Sequence, residues 1–588
     1  MRWLHSIAHL LPLLATLSPL IGAMTVLVMA RRSEQLLRPM ACSNAAMTVL
    51  LIGAALWQFD PQRLDNRGHL VARQMEADLS LHREAESRID VRLSFGFDGL
   101  AGWPAFLVAL SVWAALCSPA QPHGGSFSTF GFWLFVCESC LVGSFMASDA
   151  IVSLLLLEAA LFPLWLVTGS FGTDQRRRAA TGMWAYQFAG CGLSLLGTTL
   201  LAVSRPWMQS DMSVRRDSMS FDAASLVDRL QLLLPRSETA AHLWSHLTPW
   251  CAPLLFLGLA VRLPVFPFHA WYRAVVINAP AGVAAVIAIG LPMAALNGWM
   301  RIGMPLFAAP SSGLTSFLMA IALVGAIHAG IIAQNHQSLR ELIATASSGM
   351  FCLAMLSVCL PVRSGVLGAW LLVLSQGVAV AAFCLAVNVL ELRCGRQEGA
   401  LLHGLAIRRP RLAALLIVLL LCWTGVPFLA GLTSSILVLS STLSWGILVA
   451  SSAIGATLLI ATASLRAIGR ILSNDTLGTN ADMRSLISAI PAEAQFNVRK
   501  PLAEFPVDSG QDSSVRSWSR TSAVPSVAAR QEEPSDRNER SDLRFAEFVV
   551  LAPFVIFLVV VNVASPLVTQ RCEPTLNRLL ERSERADE

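Results

Sequence analysis

Two charged residues interrupt long apolar runs and are the first candidates for chemistry. Glu158 lies in the middle of IVSLLLLEAALFPLWLV, and Arg262 lies in LLFLGLAVRLPVFPFHAW, directly before Pro264 and Pro267. A charge at the centre of a membrane helix costs about 2.5 to 3.5 kcal/mol on insertion scales, so such residues usually serve a function. The structural alternatives are a carboxylate that only supports packing and an arginine that snorkels to the interface. We expect a buried Glu158–Arg262 pair on a path for charge, because pairing recovers part of the cost.

Three further titratable residues lie in or at the ends of apolar runs. His328 is a candidate because histidine is the residue type that can change its charge near neutral pH, although a satisfied core histidine is the alternative. Glu138 and Asp149 are proton-path candidates that could equally be span-end groups or groups in a solvated cavity. All three are predicted here as members of the same path.

The sequence carries no pattern for a bound cofactor, a metal or a catalytic residue. It contains no dinucleotide-binding glycine motif and no cysteine cluster. The CxxC pair Cys137 and Cys140 lies in an apolar run, where a free thiol behaves as a small hydrophobe. We therefore expect no cofactor, no metal and no covalent catalysis in this chain.

The composition indicates a protein that spans a membrane many times. Of 588 residues, 55% are hydrophobic and 14% are charged, whereas soluble domains carry about a quarter charged residues. The net charge of +5 is spread between apolar runs rather than along one stripe, which argues against nucleic-acid binding. Runs of roughly 20 apolar residues predict an all-α polytopic protein of about fourteen transmembrane helices. These runs lie near residues 7–30, 41–58, 100–118, 127–147, 150–170, 182–203, 250–268, 281–300, 314–334, 341–360, 365–390, 411–440, 443–466 and 546–568.

The arginines in the short loops predict the orientation, since positive residues stay on the cytoplasmic side. With the N-terminus outside, most loop arginines lie inside, and fourteen crossings also return the C-terminus to the outer face. The inner arginines are Arg31, Arg32, Arg38, Arg176, Arg177, Arg178, Arg340, Arg393, Arg396, Arg408, Arg409 and Arg411.

The chain divides into five predicted parts, separated by polar segments. The segments 59–98 and 204–246 are expected outside, and 470–543 is expected to be a disordered cytoplasmic loop because its composition cannot bury enough apolar area. The parts are N-terminal helices 1–118, a first bundle 119–268, a second bundle 269–469, the polar loop 470–543, and a last helix with its tail 544–588.

Several sequence blocks occur in the order of a known family. They are FGFDGLAG at 95–102, LVGSFMASDAIVSLLLLEAALFPLWLV, AVRLPVFPFHAW followed by NAPAG, LRELIATASSG, GVPFLAGLTSS, and the closing FAEFVVLAPFVIFLVVVNVASPLV. Together they resemble subunit M of bacterial NADH:quinone oxidoreductase, the antiporter-like membrane subunit of respiratory complex I. The resemblance covers nearly the whole chain except 204–246 and 470–543.

This resemblance implies a fold, a location and a function. The fold is two inverted bundles of five helices, each with a broken helix, and the location is the inner membrane of a bacterium. The function is proton translocation along buried charges, driven by quinone reduction elsewhere in the complex. The implied partners are other membrane subunits, the lipid bilayer and protons. The breaks fall at Pro264, Pro267 and Pro280 in the first bundle and at Gly425, Pro427 and Gly431 in the second.

The sequence departs from the family at the buried lysines. Arg262 stands at the seventh-helix lysine, and the only lysine in the chain, Lys500, lies in the polar loop. Arginine stays protonated in proteins and cannot relay a proton through a neutral form. The remaining family positions carry groups that do not titrate near neutral pH, namely Met293, Met350, Gln376 and Ser435.

We therefore expect a complex I-type subunit in which pumping is weakened, rerouted or lost. The alternatives are a cation/proton antiporter or inorganic-carbon uptake subunit on the same fold, and a structural subunit without transport.

Overall fold

A computed structural model describes most of the chain, and its architecture is a bundle of membrane-length helices. The described residues are 9–64, 71–79, 89–90, 93–118, 125–208, 219–233, 238–307, 313–360, 362–394, 402–429, 431–473 and 542–587. Among them, thirteen helical segments are long and apolar enough to cross a membrane. They are α1 Leu11–Arg32, α2 Glu34–Gln58, α3 Gly99–Cys117, α4 Phe127–Met146, α5 Ala150–Phe171, α6 Arg176–Met208, α8 Glu238–Arg262, α10 Ala281–Gly298, α12 Gly313–Ala333, α13 Leu339–Val358, α14 Arg363–Cys394, α18 Ile447–Leu472 and α19 Phe545–Val563. The segment that begins with α10 continues through a π-helical turn at Trp299–Gly303 into α11 Met304–Phe307.

Shorter elements connect these helices. The strands are β1 Arg73–Asp78, β2 Ile89–Asp90, β3 Ser94–Asp98 and β4 Met219–Ser220, with β1 antiparallel to β3 and β2 parallel to β4. The short or surface helices are α7 Ala223–Leu233, α9 Ala270–Asn278, α15 Leu405–Arg408, α16 Pro410–Leu421, α17 Gly431–Leu443 and α20 Ser565–Asp587.

The connections lie at two opposite ends of the bundle. One end, the hairpin face, carries the β1–β3 hairpin, α7 and α20; Thr575 of α20 donates to the carbonyl of Ala72, and Arg582 of α20 pairs with Asp228 of α7. The other end, the arginine face, carries Arg176, Arg340 and the ends of α14 and α18. Both ends of the polar segment 470–543 lie at the arginine face.

The interior of the molecule is formed by three helices. The apolar windows of α14 and α13 are 100% and 94% buried, and that of the segment beginning with α10 is 89% buried. By contrast, the windows of α1 and α18 are only 33% buried. The peripheral helices therefore present apolar side chains outward, as a protein in lipid does.

The first helix break follows from the prolines after Arg262. Proline removes an N–H donor and clashes with the preceding turn, so α8 ends at Arg262 and the chain resumes as α9 at Ala270. The carbonyls released by the break find partners, as apolar surroundings require. Gln187 donates to Arg262 O at 3.2 Å and Ser348 to Pro264 O at 2.9 Å.

The second break separates α16 from α17. Gly425 and Phe428 adopt positive φ angles of 72° and 74°. Gly431 begins α17 so close to α16 that a Cβ there would stand 2.1 Å from the carbonyl oxygen of Cys422. The Asn562 side-chain oxygen accepts from the backbone N–H of Thr433, which caps the new helix.

The multi-pass α-helical fold is confirmed, with some differences in detail. The run 411–440, which was expected to break near Gly425, consists of two short helices, and the run 250–268, which was expected to break near Pro264, is helical only as far as Arg262. The segment 59–98 contains a β-hairpin, and 204–246 contains β4, α7 and the start of α8. Short strands pair at the helix ends and satisfy backbone groups there. The tail after Pro566 is helix α20, because its amphipathic sequence covers the hairpin face.

Two of the expectations stay predictions. The cytoplasmic loop 470–543 falls almost wholly outside the described residues, which include only 470–473 and 542–543 of it. The inverted relation of the two five-helix bundles also stays a prediction.

Candidate functional site

Arg262 lies at the first break, deep between the helices, and only 2% of it is exposed. The stem of its side chain packs on Gly190 of α6, where a Cβ would stand 2.6 Å from Arg262 Cγ. Its Nε and Nη2 atoms have no hydrogen-bond partner among the residues that the structure describes. Because arginine stays protonated, the break holds a permanent positive charge.

Glu158 of α5 is half-buried and lies beside Cys191 of α6. It interacts electrostatically with Arg262, but no ion pair within 4.0 Å joins these two described residues. The prediction of a direct Glu158–Arg262 pair is therefore wrong. The Cys191 thiol interacts with both groups and also donates to Leu154 O at 3.6 Å, so the carboxylate faces a thiol rather than the guanidinium.

A cavity of about 50 Å³ leads from the hairpin face to Arg262. A water needs roughly 10 to 15 Å³ of cavity volume measured in this way, so the cavity has room for about three to five waters. Polar groups are interspersed with apolar side chains along its wall. They include Ser148, Asp149, Ser194, Asn297, Trp299 and Arg301.

Two charged residues of the cavity wall near the hairpin face take part in a helix cap and an ion pair. Asp149 Oδ1 accepts from the N–H groups of Ile151 and Val152 at 2.9 and 3.1 Å, and so caps α5. Arg301 pairs with Asp98 at 2.5 Å. Asp149 therefore lines the same cavity as Arg262, and its carboxylate also caps the N-terminus of α5.

Glu138 of α4 is fully buried but lies away from this cavity. Neither carboxylate oxygen has a hydrogen-bond partner within the described part of the chain. Its neighbour Ser139 donates to Thr16 O at 2.6 Å, which joins α4 to α1. The structure thus gives Glu138 a separate environment, and it does not bring it to Arg262.

His328 of α12 lies beside the first break, in contact with a second histidine. Its ring centroid is 5.9 Å from that of His269 and 5.0 Å from that of Phe266. Both histidines are half-buried. His269 was not among the residues predicted from the sequence, although its place shortly after the two prolines of the break was the available signal.

The broken-helix residues lie where the chain changes direction. Pro264 and Pro267 lie between α8 and α9, and Pro280 directly precedes α10. Gly425 and Pro427 lie between α16 and α17, and Gly431 starts α17.

Beyond Arg262, the interior is neutral at the positions to which the resemblance assigns charges. Met293, Met350 and Gln376 are all at most 3% exposed, and Gln376 Oε1 has no partner among the described residues. Ser435 of α17 is half-buried. Gly377, next to Gln376, approaches α10 so closely that a Cβ would stand 2.9 Å from Ala288 O, so α14 packs tightly on α10 at this level.

Buried ion pairs at the arginine face were missed by sequence analysis. Arg340 of α13 pairs with Glu391 of α14 at 2.8 Å and also donates to Val276 O of α9 at 3.2 Å. Arg393 of α14 pairs with Glu547 of α19. These arginines were used only to predict orientation, and the sequence carries no local signal that pairs them with Glu391 and Glu547.

His336 in the loop between α12 and α13 forms a small titratable cluster. It contacts Glu341 at 3.0 Å and Thr345 at 2.9 Å through its two ring nitrogens. Burial and the nearby charge of Arg273 lower the pKa of His336 below its ordinary 6.5, against the opposing effect of Glu341.

Comparison with known proteins identifies the family. Residues 147–461, more than half of the chain, match the family described as NADH:quinone oxidoreductase/Mrp antiporter, TM. The chain belongs to this family. The matched region contains both helix breaks, Asp149, Glu158, Arg262 and His328.

The curated relatives support the resemblance to subunit M. NADH-quinone oxidoreductase subunit M of Rhodobacter capsulatus is 27% identical over 308 residues, which cover 52% of this chain and 57% of the relative. The subunit M of Rickettsia typhi is 24% identical over 359 residues, which cover 60% of this chain and 67% of the relative. The chain thus spans 57% of the length of the first of these relatives and 67% of the second.

Solved structures share the fold over nearly the whole chain. A chain of respiratory complex I from Thermus thermophilus with bound NADH matches with a TM-score of 0.72 at 21% identity, covering 97% of this chain and 99% of that one. A chain of the Mrp complex from Dietzia sp. DQ12-45-1b matches with a TM-score of 0.64 at 14% identity, covering 95% and 52%. At these identities, the family fold is what the similarity establishes.

Proposed function

We propose that this chain is a subunit M-like membrane subunit of a complex I-type NADH:quinone oxidoreductase in the inner membrane of a bacterium. The observation that carries the proposal is the end-to-end fold match to a complex I chain, with a buried charge at the family's broken helix. Its partners would be neighbouring membrane subunits, and the redox chemistry would belong to other subunits.

Proton translocation through this subunit is weakened or lost in our proposal. A relay needs groups that release and rebind protons, and arginine does not do so near neutral pH. Beyond Arg262, the buried residues Met293 and Met350 offer no such group. The proposed proton-path and coupling residues remain Glu158, Arg262, Asp149, Glu138 and His328. His269 lies beside His328 at the break.

Purification of the native assembly tests the proposed partners. A tagged full-length chain should copurify with peripheral redox subunits. A small complex of antiporter subunits alone would favour the alternative of a cation/proton antiporter or an inorganic-carbon uptake subunit.

Reconstitution of that assembly in vesicles tests the proposed loss of pumping. We expect fewer protons per quinone reduced than in an assembly with a lysine-bearing subunit M. Arg262→Lys alone should not raise this number, whereas Arg262→Lys with Met293→Lys should. A full proton complement that falls on His328→Ala would contradict the proposal and show that His328 relays protons.

The proposed orientation places both termini outside and 470–543 in the cytoplasm. It is supported by the arginine distribution, and both ends of that segment lie at the arginine face. A reporter fused after Ser513 should be active only in its cytoplasmic form, and periplasmic activity would contradict the orientation. The division into bundles at 119–268 and 269–469 is part of the same proposal.

A further inference from the structure

The cavity beside Arg262 is lined by more free donors than free acceptors. Within the described residues, hydrogen-bond partners are lacking for Nε and Nη2 of Arg262, the indole N–H of Trp299 and the Ser148 hydroxyl. Asn297 Oδ1 is a free acceptor on the same wall. A buried polar group without a partner is costly. The excess of donors makes the cavity complementary to an acceptor.

The positive charge of Arg262 also lacks a direct counter-charge. Glu158 makes no ion pair with it within 4.0 Å, and Arg301 is engaged with Asp98. A buried charge without a partner costs several kcal/mol. Hydrogen bonds from a charged guanidinium group to an anion are stronger than those between neutral groups.

We propose that this cavity binds a small monovalent inorganic anion of the size of chloride, held by Arg262, Trp299 and Ser148. The volume of about 50 Å³ admits such an ion with a few waters and excludes large organic anions. This anion-binding proposal goes beyond the proposed function, because it is argued only from the cavity and from the hydrogen-bond donors in its wall. It therefore stands or falls separately from membership of a complex I-type assembly.

The charge of Glu158 should affect how tightly the cavity binds an anion. The negative charge of Glu158 lies within electrostatic reach of Arg262 and opposes the entry of an anion. Removal of this charge should strengthen anion binding. Bound anion and ionised Glu158 thus compete for the same permanent positive charge.

Binding of radiolabelled chloride to the purified full-length chain, measured by scintillation proximity, tests the site. We expect saturable binding that bromide displaces and the larger gluconate does not. Arg262→Met should weaken binding by at least about tenfold, since it removes the charged donor. Trp299→Phe keeps the charge and ring but removes one N–H, so it should weaken binding by several-fold. Glu158→Gln should strengthen it.

A matched control is Arg363→Gln, which removes an exposed arginine that pairs with Glu573 away from the cavity. It should bind chloride as the wild type does. Absence of saturable binding by the monodisperse wild-type protein would overturn the proposal. Equal binding by the wild type and Trp299→Phe would also overturn it, and this variant remains informative if Arg262→Met fails to fold. If Arg363→Gln bound chloride more tightly than the wild type, the surface charge would control binding, and this result would count against a site in the cavity.

Discussion

Gly190 lies directly against the stem of Arg262, and a Cβ at Gly190 would stand 2.6 Å from Arg262 Cγ. The same two helices also approach at Gly258, where a Cβ would stand 2.3 Å from Ser194 Oγ. The close packing of α6 on α8 thus sets the position of the guanidinium. The charge at the break is placed by backbone proximity rather than by an ion pair.

Gly190→Ala is expected to displace Arg262 and to destabilise the protein. Overpacking a tight contact typically costs about 1 to 3 kcal/mol, which should lower the melting temperature of the detergent-purified protein. The matched control is Gly192→Ala on the same helix, where no atom lies within 4 Å of an added Cβ. That change should be neutral or stabilising, since alanine is the better helix former. Equal melting temperatures for the two variants would contradict the tight contact.

The sequence predicted the membrane helices and the first break because both depend on local features. Apolar length predicts spans, and the prolines after Arg262 stop α8 through backbone geometry. Arg262 and Glu158 were selected because single charges in apolar runs are visible without a structure. Their separation was not predictable, because it depends on Cys191 and Gly190 of a third helix.

The cavity and the ion pairs at the arginine face required the three-dimensional packing. Trp299 and Ser148 are far apart in the sequence and line the same cavity only because the start of α5 and the π-helical turn after α10 pack near α8. Similarly, Glu391 lies at the end of a long apolar run and carries no local sign that it faces Arg340. Pairing between helices is a long-range property that periodicity does not encode.

Arg340→Met is expected to be among the most destabilising single changes in the chain. It leaves Glu391 buried without its partner at 2.8 Å, and breaking a buried pair costs about 3 to 5 kcal/mol. It also removes the donor to Val276 O. The exposed pair Arg363–Glu573 is the control, since Arg363→Gln should cost at most about 1 kcal/mol. Thermal unfolding of the purified variants measures both, and a similar effect for both would show that the Arg340 pair is solvated.

His336 should make the protein less stable in acid. Its pKa is lowered in the folded state, so the unfolded chain binds more protons between that pKa and the ordinary 6.5. The contribution of neutral His336 to the free energy of unfolding is fully present above about pH 6.5. It is lost as the pH falls from there through the lowered pKa that His336 has in the folded state. His336→Gln should reduce the loss of melting temperature between about pH 7.5 and pH 5.5. Glu341→Gln removes the group that favours protonation and should increase that loss, and an unchanged loss in both variants would contradict the role of His336.

A double-mutant cycle on Glu158 and Arg262 tests whether the two charges act as one pair. Since the two charges interact electrostatically but no ion pair within 4.0 Å joins these described residues, the coupling between Glu158→Gln and Arg262→Met on stability should be clearly smaller than that of a direct ion pair. The positive control is the cycle on Arg340→Met and Glu391→Gln, whose contact predicts a coupling of about 1 to 3 kcal/mol. Both cycles are measured by thermal unfolding in the same detergent. A coupling for Glu158 and Arg262 as large as that of the control would show that the two residues pair in the membrane, and that Cys191 does not keep the carboxylate and the guanidinium apart.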